Sequence, residues 1–170
     1  MLKLNLPAYD YLLKKQNNAI YIFDMARKKY VLLTPEEWVR QHFLNFLILN
    51  YSVPLYLISV ETLVKYNKLS KRADILVYAN NGKPLLLVEC KAPTVKLSSD
   101  TLLQISSYNK DINVPLLAIT NGIEHFFSPN TYAASFTEIN HTFISNIAFA
   151  INTLFSHFIL SSWLFDFFSL

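Results

Sequence analysis

The sequence predicts an α/β fold for a single chain of 170 residues. Two apolar runs rich in Ile, Leu and Val, at 73–79 and 84–90, are typical of buried strands. They flank Asn81 and Gly82, a pair that is the strongest short-range hairpin signal in a sequence. A capping pattern at Thr34 indicates a helix. At this length we expect one domain, residues 1–170, with a single sizeable core.

The predicted elements follow one another along the chain with clear stop signals. Thr34 is the expected N-cap, Pro35 the first helical residue, and Glu37 the partner that completes a capping box. Pro54 ends this helix, and a second hairpin-type turn is expected at 121–122. In order, we predict an opening hairpin at 19–23 and 30–33, a helix from 34, a strand at 55–64, the hairpin of 73–90, a helix from 98 or 99 to about 110, and a strand at 114–120.

Three charged residues interrupt the otherwise apolar central hairpin. Glu89 and Lys91 are two apart, so they point to one side of their strand while Cys90 points to the other, toward the core. The hairpin brings Asp74 back beside them, which gathers two acids and one amine at one place. A buried ion-pair cluster is the structural interpretation of this gathering. Carboxylates on rigid strands also suit Mg²⁺, so we favour a metal-dependent phosphodiesterase site.

The spacing of Asp74 and Glu89-Cys90-Lys91 resembles the PD-(D/E)xK nuclease signature. A longer resemblance, over residues 19 to 127, is to the N-terminal nuclease domain of type I restriction enzyme R subunits, and especially to small stand-alone relatives. Five strings in the family's order carry it: R-K-K-Y-V-L-L-T-P-E-E-W-V-R-Q (27–41), K-R-A-D-I-L-V-Y (71–78), G-K-P-L-L-L-V-E-C-K-A-P (82–93), Q-I-S-S-Y-N (104–109) and T-N-G-I-E-H (120–125).

The resemblance implies an α/β/α sandwich around a central mixed sheet, with a restriction-endonuclease-like core of helix, three strands, helix and strand. It also implies Mg²⁺-dependent hydrolysis of DNA, in which Mn²⁺ can substitute. The implied metal ligands are Asp74, Glu89 and the main-chain carbonyl of Cys90, and Lys91 would orient or help deprotonate the attacking water. The alternative from another class is a catalytically inactive DNA-binding or assembly module of a restriction-type system.

Further site residues are expected on the two predicted helices. Glu37 is a candidate third metal ligand, as the first-helix glutamate is in many members of the superfamily, although the capping box also accounts for it, and Glu36 is the other candidate. Gln104 and Tyr108 are four apart on one helix face and match the Q-x-x-x-Y motif of some superfamily nucleases. We expect this pair to support the site or the DNA backbone.

The positive charge lies in the part of the chain that contains the candidate site. All 15 Lys and Arg residues occur at or before Lys110, and the net charge is +3. One cluster, Lys65, Lys68, Lys71 and Arg72, runs into Asp74 and is expected to bind DNA phosphates. For a second cluster, 27–29, a solvated loop is an equally good interpretation.

The C-terminal segment is not recognised and carries no Lys, Arg, Asp or Glu between residues 139 and 165. Polar residues recur along one helical stripe there, so an amphipathic helix on the sheet or on a second subunit is favoured over a membrane span. Expected partners are DNA, a separate restriction or motor subunit, and a second copy through this segment. A single cysteine and no signal-peptide pattern favour the cytoplasm.

Overall fold

The structure, a computed structural model, describes residues 2–66, 69–98 and 114–129, without the side chains of 64–71 and 128–129. Within these ranges one long helix accompanies two sheets. The elements are β1 Leu13–Gln16, β2 Ala19–Asp24, β3 Lys29–Leu32, α1 Pro35–Tyr51, a 3₁₀ turn Leu55–Leu57, β4 Ile58–Tyr66, β5 Leu69–Tyr78, β6 Pro84–Cys90, β7 Leu116–Thr120 and β8 His125–Pro129.

Strands β1, β2 and β3 form a small antiparallel sheet in that order. The predicted opening hairpin is confirmed as β2 and β3, whereas β1 was not expected because its sequence is short and half of it is lysine. Ile22 and Asp24 on β2 are fully buried. The Asp24 carboxylate accepts a hydrogen bond of 2.7 Å from Gln41 on α1, so this side of the small sheet packs toward the helix.

Helix α1 begins where the sequence predicts. The hydroxyl of Thr34 accepts a hydrogen bond of 3.0 Å from the main-chain N–H of Glu37, and Pro35 is the first helical residue. The second half of the predicted capping box is wrong. The N–H of Thr34 donates to the carbonyl of Leu32, and the Glu37 side chain is drawn away by cationic side chains.

The large sheet has the order β4-β5-β6-β7-β8 and is mixed, because β6 and β7 are parallel and the other pairs are antiparallel. The central hairpin is confirmed as β5 and β6, with Asn81 accepting from the N–H of Lys83 and Gly82 at φ 76°. The predicted strand before it starts three residues late, because the N–H of Leu57 donates to the carbonyl of Pro54 and closes a 3₁₀ turn.

The turn at 121–122 is also confirmed and joins β7 to β8. Gly122 has φ 83°, and a Cβ there would lie 2.8 Å from a methyl carbon of Leu4. The carbonyl of Gly122 accepts a hydrogen bond of 2.6 Å from the N–H of Asn5. A glycine is therefore needed both for the backbone angle and for the close approach of the N-terminal segment.

The sheet is buried on both sides. Ile75 and Leu76, which alternate in direction along β5, are both buried. On one side Phe43 of α1 lies near Phe127 of β8, and on the other a cluster forms around Leu87 and Leu117. The α/β class is thus observed, with one α-helix and a five-stranded mixed sheet among the residues that the structure describes. The helix predicted to end near 110 lies outside the described residues, as does the expected C-terminal helix.

In the described ranges, no helix combines the length and the apolar character that crossing a membrane requires.

Candidate active site

The central hairpin brings Asp74 and Glu89 opposite each other. The register pairs Ile75 on β5 with Val88 on β6, and the next residue on each strand, away from the turn, is Asp74 on β5 and Glu89 on β6. Asp74 is buried, and its Oδ2 accepts a hydrogen bond of 2.7 Å from the main-chain N–H of Cys90. The Cys90 side chain is fully buried, as predicted, and burial raises the pKa of its thiol well above the usual value. A protonated core thiol is unreactive.

Lys91 is the amine of this site. Its Nζ lies 2.7 Å from Oε1 of Glu89, and both side chains are partly exposed. Burial raises the pKa of Glu89, and the nearby charge of Asp74 raises it further. Burial opposes the charge of Lys91, but the hydrogen bond that it donates to Glu89 and the surrounding carboxylates outweigh this effect and raise the pKa of Lys91. Lys91 is therefore an ammonium ion at neutral pH.

Glu36, in the first turn of α1, faces the same charges. Burial raises its pKa, as does Asp74, while Lys91 and Arg40 act in the opposite direction. No described residue donates a hydrogen bond to its carboxylate. We call Glu36, Asp74, Glu89 and Lys91 the acid–lysine cluster, in which three carboxylates share one amine.

A second group of charges lies directly behind this cluster and is buried. Arg40 is its centre: Nη2 donates to Oδ1 of Asp74 at 2.6 Å and lies 2.8 Å from Glu61, while Nη1 pairs with Glu37. Burial disfavours the charge of Arg40, yet Asp74 and Glu37 hold its pKa above the usual value. The Arg40 network is defined as Asp24, Arg27, Glu37, Arg40 and Gln41.

Glu37 belongs to this network. Its Oε1 accepts from Arg27 at 2.6 Å and from Gln41 at 2.8 Å, and its Oε2 accepts from Arg40. Both oxygens are therefore engaged by nitrogen donors inside the protein. Of the two glutamates that the sequence offers as a third carboxylate, Glu36 is the one beside Asp74 and Lys91.

Glu61 marks a backbone irregularity next to the site. It has φ 54°, a left-handed value that non-glycine residues rarely adopt, in a strand whose flanking pairs are regular. Its carboxylate bridges Arg40 and Arg72 at 2.8 and 2.9 Å. Strained backbone of this kind occurs where surrounding contacts hold a side chain in place.

The acid–lysine cluster suits a hard divalent cation, because the atoms that it offers as metal ligands are carboxylate oxygens. Within the described ranges, however, no three Asp, Glu, His or Cys side chains are arranged to hold a metal ion. Mg²⁺ commonly takes only one or two protein carboxylates and completes its shell with water and phosphate oxygens. Two acids on adjacent rigid strands, Asp74 on β5 and Glu89 on β6, are therefore compatible with Mg²⁺.

Residues 35–142 match the family of the type I restriction enzyme R protein N terminus. The match covers more than half of the chain. This chain belongs to that family. No curated protein and no solved structure matches it. The resemblance read from the sequence is confirmed, although the matched span begins at 35 instead of 19 and reaches 142 instead of 127.

Membership of the R protein N-terminal family relates the chain to restriction enzymes. Three of the predicted site residues lie outside the part of the chain that the structure describes. These are Gln104, Tyr108 and Lys68, and their roles stay predictions. Lys65 and Lys71 belong to β4 and β5, in a hairpin and not in a loop. Arg72 is 60% exposed and pairs with Glu61 at 2.9 Å.

The Arg40 network was not predicted. Its local signals are weak ones: Glu37 and Arg40 are three apart on a helix, and Asp24 precedes Arg27 by three residues. Such spacings also occur on any solvated helix or turn. Glu61 has no sequence signal at all, since its role depends on a strand that lies close to Asp74 only after folding.

Proposed function

We propose that this domain is a Mg²⁺-dependent DNA endonuclease that hydrolyses phosphodiester bonds. One observation carries the proposal: Asp74 in the middle of β5, Glu89 near the end of β6 and Lys91 just after it converge in a chain of the R protein N-terminal family. The acids crowd one another, and burial with like charge raises the pKa of Glu89 and of Glu36. A bound dication would relieve that repulsion.

We assign the metal to Asp74, Glu89 and the main-chain carbonyl of Cys90, with Glu36 as an additional carboxylate. Mg²⁺ bound there would polarise the scissile phosphate and lower the pKa of a coordinated water. Mn²⁺ would substitute for it. We assign no metal contact to Glu37, because its oxygens accept from two guanidinium groups and from Gln41. Asp74 accepts only one guanidinium N–H and one main-chain N–H, so it keeps lone pairs for a metal ion.

Lys91 would act on the water and the phosphate. Its ammonium, fixed by Glu89 at 2.7 Å, has two further N–H donors for a water molecule or a phosphate oxygen. A cation at this position stabilises the negative charge that develops on the phosphate in the transition state. Gln104 and Tyr108 would support the DNA backbone or the site, and Lys65, Lys68, Lys71 and Arg72 would neutralise neighbouring phosphates.

The test is cleavage of supercoiled plasmid by the purified full chain with Mg²⁺, Mn²⁺ or Ca²⁺. We expect nicking with the first two ions, DNA binding without cleavage in Ca²⁺, and a loss of at least about 100-fold for Lys91→Ala. Lys83→Ala is the matched control, because Lys83 is an exposed lysine in the turn of the same hairpin. Equal activity of Lys91→Ala and Lys83→Ala would reject the assignment of Lys91.

The alternative is a non-catalytic DNA-binding or assembly module that works with other restriction subunits. One observation favours it: Asp74 is already satisfied, since Arg40 and the Cys90 N–H each bond one of its oxygens. In this case DNA binds equally well with and without divalent ions, and no ion supports cleavage. The plasmid assay with a parallel binding measurement therefore separates the two functions.

A further inference from the structure

We propose that the three-stranded sheet carries a second nucleic-acid site, which binds single strands by stacking unpaired bases on the exposed ring of Tyr30 and on the half-buried aromatic rings beside it. The site is the outer face of this sheet, formed by Lys14, Tyr21, Phe23, Tyr30 and Leu32. All five lie before residue 35, where the family match begins. The proposal therefore goes beyond the hydrolysis proposed for Asp74, Glu89 and Lys91.

The strand register places the outer face on one side of the sheet. Tyr21 pairs with both Lys14 and Leu32, and Phe23 pairs with Tyr30. Directly opposed residues of antiparallel strands share a face, and so do Tyr21 and Phe23, which are two apart. Two contacts agree with this assignment: the Lys14 Nζ lies 5.9 Å from the centroid of the Tyr30 ring, and the Phe23 and Tyr30 centroids are 5.3 Å apart.

The outer face is open to solvent. Ile22 and Asp24 on the opposite side of β2 are completely buried against the rest of the domain. In contrast, Tyr30 is 41% exposed and Leu32 is 52% exposed. An accessible aromatic ring beside apolar surface on a β-sheet is the kind of surface on which proteins stack the bases of single-stranded nucleic acid.

The charge around the outer face is complementary to a phosphate backbone. Residues 13–32 contain five Lys and Arg residues and a single acid, Asp24. That acid is buried and bonded to Arg27 at 2.6 Å, so it contributes little negative charge to the surface. The other four cations are exposed. Lys14 lies on the outer face and Lys28 in the turn before β3, while Lys15 and Lys29 lie on the two edge strands and point to the opposite side.

A base can take the place of the Lys14 ammonium on the Tyr30 ring. An exposed cation–π contact is weaker than the stacking of a base on an aromatic ring, so a base can displace the lysine. The flexible Lys14 side chain then reaches a phosphate. Beside the sheet lies an apolar cavity of about 420 Å³ that shares Ala19 and Leu32 with it and extends to Pro93 and Thr94. It offers a recess for a neighbouring base.

The test is fluorescence anisotropy with labelled oligothymidylate and oligouridylate of about 12 nucleotides, and with a duplex of the same length. Divalent ions are removed with EDTA, so that the result does not depend on the proposed hydrolysis. We expect the full chain to prefer the single strands over the duplex. Comparing the two oligonucleotides shows whether DNA or RNA is the better ligand.

Two variants separate stacking from charge. Tyr30→Leu keeps a strand-forming apolar residue, and it should weaken single-strand binding about tenfold without changing the salt dependence. Lys14→Gln should lower the slope of log affinity against log salt by about 0.7. The matched controls are Tyr56→Leu, at a tyrosine that is 80% exposed outside the sheet, and Lys83→Gln. Both controls should bind as the wild type does, and thermal melting checks that all four variants are folded.

Three results would overturn the proposal. Tyr30→Leu and Tyr56→Leu could bind single strands equally well, which would show that the exposed ring does not stack bases. The duplex could bind more tightly than either oligonucleotide. Finally, the wild type could be a dimer that Tyr30→Leu dissociates in sedimentation equilibrium, in which case the outer face is an interface between copies.

Discussion

Two neighbouring glutamates on helix α1 belong to regions with opposite electrostatic character. Glu37 lies in the Arg40 network, where each carboxylate accepts directly from a guanidinium, as do Glu37 from Arg40 and Asp24 from Arg27. Glu36 lies in the acid–lysine cluster, where burial and the charge of Asp74 raise its pKa. The network has its partners inside the fold, whereas the cluster has more negative charge than its one amine can offset.

The difference separates a structural role from the chemistry that we propose. A buried carboxylate that is fully paired contributes to stability only through its partners and has no free oxygen for a ligand. A partly exposed carboxylate held near like charges costs stability and gains from any cation that binds it. Asp74 connects the two regions, because Arg40 holds one of its oxygens while its charge raises the pKa of Glu89.

The largest expected effect is on the Arg40 network. Arg40→Met retains much of the side-chain volume but leaves Asp74 buried without its cation and removes one of the two guanidinium partners of Glu37. We expect the free energy of unfolding to fall by about 3–5 kcal/mol, measured by urea denaturation in EDTA. Arg72→Met is the control, since Arg72 is mostly exposed, and it should cost no more than about 1 kcal/mol. Similar costs for both variants would remove the distinction between the two regions.

The second prediction concerns metal binding to the acid–lysine cluster, measured as stabilisation and not as activity. Mg²⁺ at 100 times its dissociation constant should stabilise the wild type by about 2.7 kcal/mol. Asp74→Asn should lose this stabilisation because it removes a proposed ligand, whereas Glu37→Gln should retain it although its baseline stability is lower. A fold that Mg²⁺ does not stabilise would mean that the cluster is not a metal site.

The smallest effect is the pH dependence of Glu36→Gln in EDTA. A raised pKa means that the folded state binds the Glu36 proton more tightly than the unfolded chain does. The ionised form therefore costs stability, and this cost is absent below the ordinary pKa of 4.5 and grows as the pH rises through it. Glu36→Gln should thus gain stability over the wild type above that pH, by less than about 1 kcal/mol because the side chain is partly exposed.

The same measurement on Glu37→Gln provides the contrast. This variant weakens hydrogen bonds from two guanidinium groups, so it should lose about 2 kcal/mol at neutral pH. If Glu37→Gln were neutral and Glu36→Gln destabilising, the assignment of the two glutamates to the two regions would be reversed.

The sequence by itself determined the local elements and the main ingredients of the site. Thr34 and Pro35 place the start of α1, and the Asn81-Gly82 turn joins the two strands of the hairpin. A register shift between Val77 and Tyr78 also contributes to the pairing that brings Asp74 opposite Glu89. These features depend on residues close in sequence, through capping, turn geometry and strand alternation. The family was also readable, because its strings of residues occur in a fixed order.

Only the tertiary structure decided how the acids differ. Glu36 and Glu37 are the same residue type at adjacent positions, and the sequence offered both as a third carboxylate, although the capping box also accounted for Glu37. The folded chain places Arg27 and Arg40 on Glu37, and Asp74 and Lys91 near Glu36. The burial of each carboxylate and the charge around it depend on residues of β2, β4, β5 and α1, which are far apart along the chain. No local sequence pattern specifies these contacts. The partners of a carboxylate, which decide its chemistry, are therefore fixed only when these elements pack together.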